Sequence, residues 1–198
     1  DETSFEQAGT LLKTLGAIDE QGHITAHGKK MVSVGLHPRL AHMVIMADQK
    51  GQGFLACRIA ALLNERDFIR FDQNKDDPDI RLRLEAIEAV QKEFKINRGI
   101  VRRIIESEKK IAKDFGIRPI KPNLAKAGSL LAFAYPDRIA RKRDNQNNTF
   151  LMASGKGAFF QGTTYVSLNE YIVAVHLDGN RQNAKIFLAA PYSKKEFE

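Results

Sequence analysis

One cysteine, Cys57, and no tryptophan occur in 198 residues. A lone cysteine excludes an intrachain disulfide and a thiolate metal cluster, and it fits a reducing, cytoplasmic setting. No apolar run approaches the roughly 20 residues that cross a bilayer, so no membrane partner is expected. Residues 1–4, Asp-Glu-Thr-Ser, offer neither an initiator methionine nor a basic segment leading into an apolar run. No signal peptide is therefore expected, and the chain reads as a piece of a longer one. Catalytic patterns are equally scarce. His23, His27, His37, His42 and His176 show no HExxH or other tight metal spacing, and no Gly-x-Ser-x-Gly elbow occurs. His42 reads as an ordinary helix residue beside Met43, and Cys57 as a buried, inert thiol beside an apolar helical stripe. No enzymatic activity, metal or cofactor is expected of these residues themselves.

What is present is an ordinary globular composition, 43% hydrophobic and 28% charged, with an uneven charge. Residues 1–96 are net −2, residues 97–143 net +9, and residues 144–198 neutral. The whole excess of +7 thus lies in one stretch, which points to a polyanion, most simply nucleic acid. A solvated basic helix face, or one turned toward an acidic neighbouring domain, fits the same count.

The opening stretch, residues 11–47, reads as helix, short hairpin, helix, sharp turn and helix. Phe5, Ala8, Leu12 and Leu15 form a helical stripe ending at Gly16. Ala17-Ile18 and His23-Ile24-Thr25 flank a four-residue turn, Asp19-Glu20-Gln21-Gly22. After Gly35 and Pro38, the residues Leu40, Met43, Val44 and Ala47 mark another apolar face. The pattern describes a winged-helix-like module, with a plain local packing unit as the alternative.

Helices follow. Leu55, Ile59, Leu62 and Leu63 mark one, and Ile80, Leu84, Ile87 and Phe94 another, started by Pro78 after a polar acidic loop over 72–79. Between Asn97 as N-cap and Gly116, the residues Ile100, Val101, Ile104, Ile105, Ile111, Ala112 and Phe115 form an apolar face. The other face carries Arg98, Arg102, Arg103, Lys109, Lys110 and Lys113, interrupted by Glu106 and Glu108. Glu106 to Lys110 is a supportive i, i+4 pair, so part of this charge has a helix-stabilising reading. Asn123 caps a further helix in which Ala127, Gly128 and Ser129 permit close approach of a neighbour.

Then comes Tyr135-Pro136-Asp137-Arg138-Ile139-Ala140-Arg141-Lys142-Arg143. Pro136 stops the helix, Asp137 caps a short one, and Arg138, Arg141, Lys142 and Arg143 suit phosphate contacts, with Tyr135 placed to stack on a base. The competing reading is a flexible basic connection. Beyond residue 149, the runs Phe150–Ala153, Gly157–Phe160, Thr164–Leu168, Glu170–Leu177 and Ala184–Ala190 read as five short strands, the last two joined at Asp178-Gly179-Asn180. They suggest a small antiparallel sheet or partly open barrel of the kind that binds oligonucleotides. Ser154-Gly155-Lys156-Gly157 lacks the spacing of a phosphate loop and reads as a turn, with Lys156 a backbone contact. The expected organisation is mainly α with a C-terminal β module: a winged-helix-like segment over 1–52, a helical bundle over 53–143 and a small sheet or OB-like barrel over 144–198.

Residues 11–47, with Leu-Gly-Ala-Ile-Asp, then Gly-x-Ile-Thr, Gly-Lys-Lys-Met and His-Pro-Arg-Leu-Ala in order, resemble the start of the helicase-associated region that follows the two motor domains of DEAH-box ATP-dependent helicases. Leu131–Ala140 with its basic run, followed by Ala153–Ala158, is similar to the bacterial HrpB-type members, and the resemblance spans residue 8 to about 191. It implies a winged-helix remainder, a helical bundle and a β-rich module packed against an RNA-translocating motor. The motor's nucleotide-binding loop, Asp-Glu-Ala-His box and arginine fingers match nothing here. ATP and magnesium would accordingly belong to motor domains of the same polypeptide, with single-stranded RNA the implied partner. A bracing or protein-interaction region without RNA contact is the alternative.

Overall fold

The computed structural model describes residues 2–70, 76–89, 95–144, 148–180 and 182–193, with the side chains of residues 2–4 and 89 outside that description. Helix α1 (Glu2–Thr14) ends at Gly16, whose φ of 66° is a left-handed conformation that favours glycine. Ile18 and Ile24 pair across the turn, and Asp19 Oδ1 accepts the His23 amide at 2.8 Å. Thr25 Oγ1 donates to the Gly16 carbonyl at 2.7 Å and accepts from the Gly28 amide at 2.9 Å, so one hydroxyl ties the hairpin to the start of α2 (Ala26–Val32). Pro38 opens α3 (Pro38–Asp48) behind His37, whose Nδ1 accepts the Arg39 amide at 3.3 Å. The helix, hairpin, helix, turn and helix order is present, with Leu15, Ala17, Met31 and Ala41 as its small core.

A larger core joins α3 to α4 (Gly53–Leu63), α5 (Ile80–Ala89), α6 (Arg98–Phe115) and α7 (Ala127–Ala134). Met43, Leu55, Ile59, Leu84, Ile104, Leu130 and Leu131 are essentially removed from water, each worth about 1.5–3 kcal/mol of transfer free energy. Met43, Leu55, Ile59, Leu84 and Ile104 point inward as the periodicity predicts, whereas Phe5 and Ala8 of the first stripe are exposed. Helix α5 ends at Ala89, and Phe94 lies outside the described residues. Two strands too short to leave a sequence signal, β1 (Ile69–Arg70) and β2 (Lys95–Ile96), pair antiparallel.

The β module is a closed five-stranded barrel in the order β3-β4-β5-β7-β6. Its strands are β3 (Ile139–Lys142), β4 (Thr149–Met152), β5 (Gly157–Phe159), β6 (Tyr171–Leu177) and β7 (Asn183–Tyr192), with β5 and β7 parallel and all other neighbours antiparallel. This is the strand order of an OB-type barrel. Phe150, Met152, Phe160, Val166, Ile172 and Ile186 fill it. Two expectations are corrected. Thr164–Leu168 is not a strand but a turn leading into a 3-10 helix over Val166–Leu168, because Ser167 Oγ and Thr164 exchange bonds with each other's backbone and Asn169 Nδ2 donates to the Tyr165 and Val166 carbonyls. The fifth strand comes instead from the basic tract, where Ile139–Lys142 bonds to both β4 and β6 and is no flexible connection, so the barrel begins ahead of residue 144.

Candidate nucleic-acid interface

Helix α6 presents the first group of cations. Asn97 Oδ1 accepts from the Gly99 and Ile100 amides, and left-handed Gly116 closes the other end, so both caps stand where expected. With Ile100, Ile104 and Ile111 buried, Arg98, Arg102, Arg103, Lys109, Lys110 and Lys113 are all exposed. Glu108 does not interrupt that face. It is buried, its Oε1 accepting from Arg58 Nε at 3.1 Å while Arg58 also reaches Glu88 at 3.0 Å, and burial raises its pKa against the pull of Arg58. Burial of Glu108 thus takes one negative charge off the face, and Glu65, from outside the helix, brings one back to Arg103. Arg103 makes a two-pronged contact with Glu65, both bonds 2.9 Å, which raises the guanidinium pKa and lowers that of the carboxyl.

The second group divides by side. Arg138 Nη1 donates to the Val175 carbonyl at 2.6 Å, and its guanidinium lies 5.0 Å from the Tyr135 ring centre. Arg39 lies 5.2 Å from the same ring, so stacking on a base there would compete with two cations. Burial raises the Tyr135 hydroxyl pKa, and burial together with Arg39 lowers that of Arg138. Lys142 pairs opposite inward-facing Phe150, and its Nζ donates to the Ser167 carbonyl at 3.0 Å. Arg141 pairs opposite exposed Leu151 and points outward, 3.6 Å from Glu170. Arg143 is exposed, its amide bonded to the Thr149 carbonyl, and Lys156 is exposed on the β4–β5 turn. That turn joins two strands, which is no setting for a phosphate loop.

Two hollows gather some of these groups. A cleft of about 860 Å³ between α1 and one end of the barrel is lined by Thr10, Arg39, Arg138, Ser154, Lys156 and Asn180, among others. A smaller one of about 250 Å³ is rimmed by Arg141, Lys142 and Arg143 together with Asp144 and Glu170. None of the α6 cations lines either hollow. Sequence reasoning missed Arg39, whose partners are distant in the chain, and the pair His27 Nε2–His42 Nδ1 at 2.7 Å, because 15 residues separate its members. Among the described residues no three His, Cys, Asp or Glu side chains are placed to hold a metal ion. No described helix is long and apolar enough to cross a membrane.

Residues 10–36 match the family model of the winged-helix helicase-associated domain HA2. The chain is 28% identical over 184 residues to the ATP-dependent RNA helicase HrpB of Escherichia coli strain K12, covering 92% of this chain and 20% of that protein. Two solved structures are similar. The E. coli DExH-box NTPase HrpB superposes with a TM-score of 0.75 at 27% identity, and the E. coli DEAH/RHA helicase HrpB with 0.74 at 25%. Each comparison covers 94% of this chain and 21% of the other, so the chain spans about a fifth of the length of these relatives. The winged-helix match, the whole-chain likeness and the closed barrel together make the chain similar, over nearly its whole length, to a helicase-associated region of the HrpB type.

Proposed function

We propose that this chain is the accessory nucleic-acid-binding and scaffolding region of a cytoplasmic ATP-dependent RNA helicase. It holds single-stranded RNA beside motor domains of the same polypeptide, where ATP and magnesium bind. The observation that carries the reading is the end-to-end likeness to HrpB, with TM-score 0.75 over 94% of the chain. The exposed cations of α6 and the outward Arg141 and Arg143 add the surface a polyanion needs. Contacts of this kind attach to phosphates, so affinity falls with salt and carries little sequence information.

Arg138 and Lys142 also donate to barrel carbonyls, so substituting them would confound binding with folding. The test therefore uses Arg102→Glu, Lys109→Glu and Lys113→Glu together, with fluorescence anisotropy of a labelled single-stranded RNA titrated at several salt concentrations. We expect weaker binding and a shallower salt slope, by about 0.7 for every phosphate that is no longer neutralised. Unchanged affinity and slope would remove α6 from the interface.

A second reading, a region that braces the motor without touching RNA, is favoured by Phe5 and Val32. These apolar side chains are 82% and 72% exposed on the winged-helix segment, as a surface awaiting another domain would be. Adding the chain in trans to a truncated motor and finding unchanged ATPase activity would count against it.

A further inference from the structure

Around Tyr135 the charges do not balance. Its ring carries two guanidiniums, Arg39 at 5.2 Å and Arg138 at 5.0 Å, and a single carboxylate, that of Asp137, answers both. Arg39 takes that carboxylate in a two-pronged contact of 2.6 and 3.0 Å. Arg138 Nε is left 4.0 Å from Asp137 Oδ2, beyond hydrogen-bond reach, while its Nη1 is engaged by the Val175 carbonyl. Burial and then the neighbouring Arg39 lower the Arg138 pKa, as expected of a cation short of a counter-charge.

A third cation stands beside this pair. The Ser154 amide donates to the Asp137 carbonyl at 3.1 Å and the Ala153 amide to the Ile139 carbonyl at 2.8 Å, which holds the β4–β5 turn against residues 137–139. Lys156 on that turn is exposed, and neither its ammonium nor the Ser154 hydroxyl has a partner among the described residues. Arg39, Arg138, Ser154 and Lys156 all line the cleft of about 860 Å³ beside α1. Small-ligand sites commonly measure about 300–1,000 Å³. Glu6 on α1 and Asp178 on the β6–β7 turn also line the cleft, and neither pairs with these cations among the described residues. Their repulsion directs an anion to the end held by Arg138 and Lys156.

At that end Arg39, Arg138 and Lys156 against Asp137 leave a surplus of two positive charges. A phosphate monoester carries about −1.5 to −2 at neutral pH and three acceptor oxygens, which matches the surplus. An internal RNA phosphodiester or a carboxylate brings a single charge and leaves half of it unanswered. We propose that this cleft is a phosphate-monoester site, with Arg138, Lys156 and the Ser154 hydroxyl on the phosphate, and that a nucleoside monophosphate or the phosphorylated end of an RNA supplies the group. A site of this kind lies beyond the internal phosphates held at α6 and does not depend on them.

The test titrates the full chain at low salt with uridine monophosphate in a calorimeter, beside uridine and cyclic uridine monophosphate, which is a diester. The monophosphate is expected to bind, the cyclic diester to bind more weakly, and uridine not to bind. Lys156→Ala, at an exposed position without partners, should keep the parent's melting temperature and lose affinity for the monophosphate about tenfold. The α6 triple variant should bind the monophosphate like the parent. An oligouridine with a terminal phosphate, compared with the same oligomer lacking it, separates the two sources. Tighter binding of the phosphorylated oligomer that Lys156→Ala removes assigns the RNA end; equal binding of the two, with the monophosphate still bound, assigns the free nucleotide. If the parent takes up no monophosphate, if Lys156→Ala binds it like the parent, or if the cyclic diester binds as well, the site is overturned. The α6 reading falls only with its own triple variant.

Discussion

Arg39 on α3 and Asp137 ahead of β3 join across 98 residues of sequence, Nη1 to Oδ1 at 2.6 Å and Nη2 to Oδ2 at 3.0 Å. Arg39 Nη1 also donates to the Ala134 carbonyl at 2.9 Å, one of the orphan acceptors at the C-terminal end of α7. One guanidinium thereby fixes the winged-helix segment, α7 and the entry to the barrel. Burial alone would raise the Asp137 carboxyl, but the Arg39 hydrogen bonds and charge outweigh it and hold the pKa below the usual carboxylate value. Asp137→Ala leaves this mostly buried guanidinium without its carboxylate. The expected loss is about 2–3 kcal/mol in urea unfolding, and Arg39→Lys, with Asp137 intact, should lose part of this because an ammonium cannot make the paired contact.

A second prediction concerns the packing of α7 on the barrel. A Cβ placed on Gly128 would stand 1.9 Å from the Pro191 carbonyl oxygen, a contact with backbone on both sides that no side-chain rotation relieves. Gly128→Ala should therefore cost about 3 kcal/mol or more, although alanine is the better helix former. The control Gly9→Ala, half-buried in α1 but with nothing within 4 Å of its Cβ, should be neutral or slightly stabilising. Equal melting temperatures for the two variants would contradict the close approach of α7 to β7.

Histidine makes the fold sensitive to acid. Burial, and then the neighbouring His27, lower His42 from 6.5 to about 4, and burial also lowers His27 and His37. The unfolded chain then binds more protons than the folded one between about pH 4 and 6.5. Stability is complete above that window and declines as pH falls through it. Melting temperature should drop between pH 7 and pH 4.5, and His42→Phe, placed against Phe133, should make the decline shallower. A parent and variant with parallel pH profiles would show that the His27–His42 contact does not govern it.

Cys57 reports on opening of the bundle. Burial foremost, with Glu108 and Asp48 nearby, pushes its thiol up to about 12. At pH 8 a disulfide reagent should leave it unmodified in the native chain and label it stoichiometrically in urea, with the rate in between following the population of opened molecules. Prompt labelling of the native chain would mean that α4 is not sealed as described.

What the sequence reveals about this fold depends on how local each signal is. Helix α6 is legible almost to the residue because Asn97, its apolar stripe and Gly116 are all local instructions. Strand β3 is hidden because its alternation is disguised: Arg141 faces out, while Lys142 faces in and satisfies its charge at the Ser167 carbonyl. Thr164–Leu168 misleads in the opposite sense, since β-branched and aromatic residues there are overruled by the Ser167 and Thr164 side chains. The cations of the candidate interface are visible as composition. Their company is not, because Arg39 and Arg138 come to share the Tyr135 ring only through a non-local contact. Glu108 looks like a member of the basic face and lies beneath it for the same reason, its Arg58 partner being 50 residues away.

Strand β7 outruns its partner β5, and the pairing that continues is an unusual one. The Ala189 amide donates to the Pro78 carbonyl at 2.8 Å, and Asp79 bridges Ala189 in parallel. Arg83 holds that segment by bonding the Asp77 and Asp79 carbonyls and Asp67. Without this short clasp, the part of β7 beyond β5, Ile-Phe-Leu-Ala-Ala, would offer unpaired backbone on the edge away from β6, a template for another copy to extend. Loss of the Arg83 anchor would thus show itself first as turbidity that grows with protein concentration, before any change in the melting of the barrel.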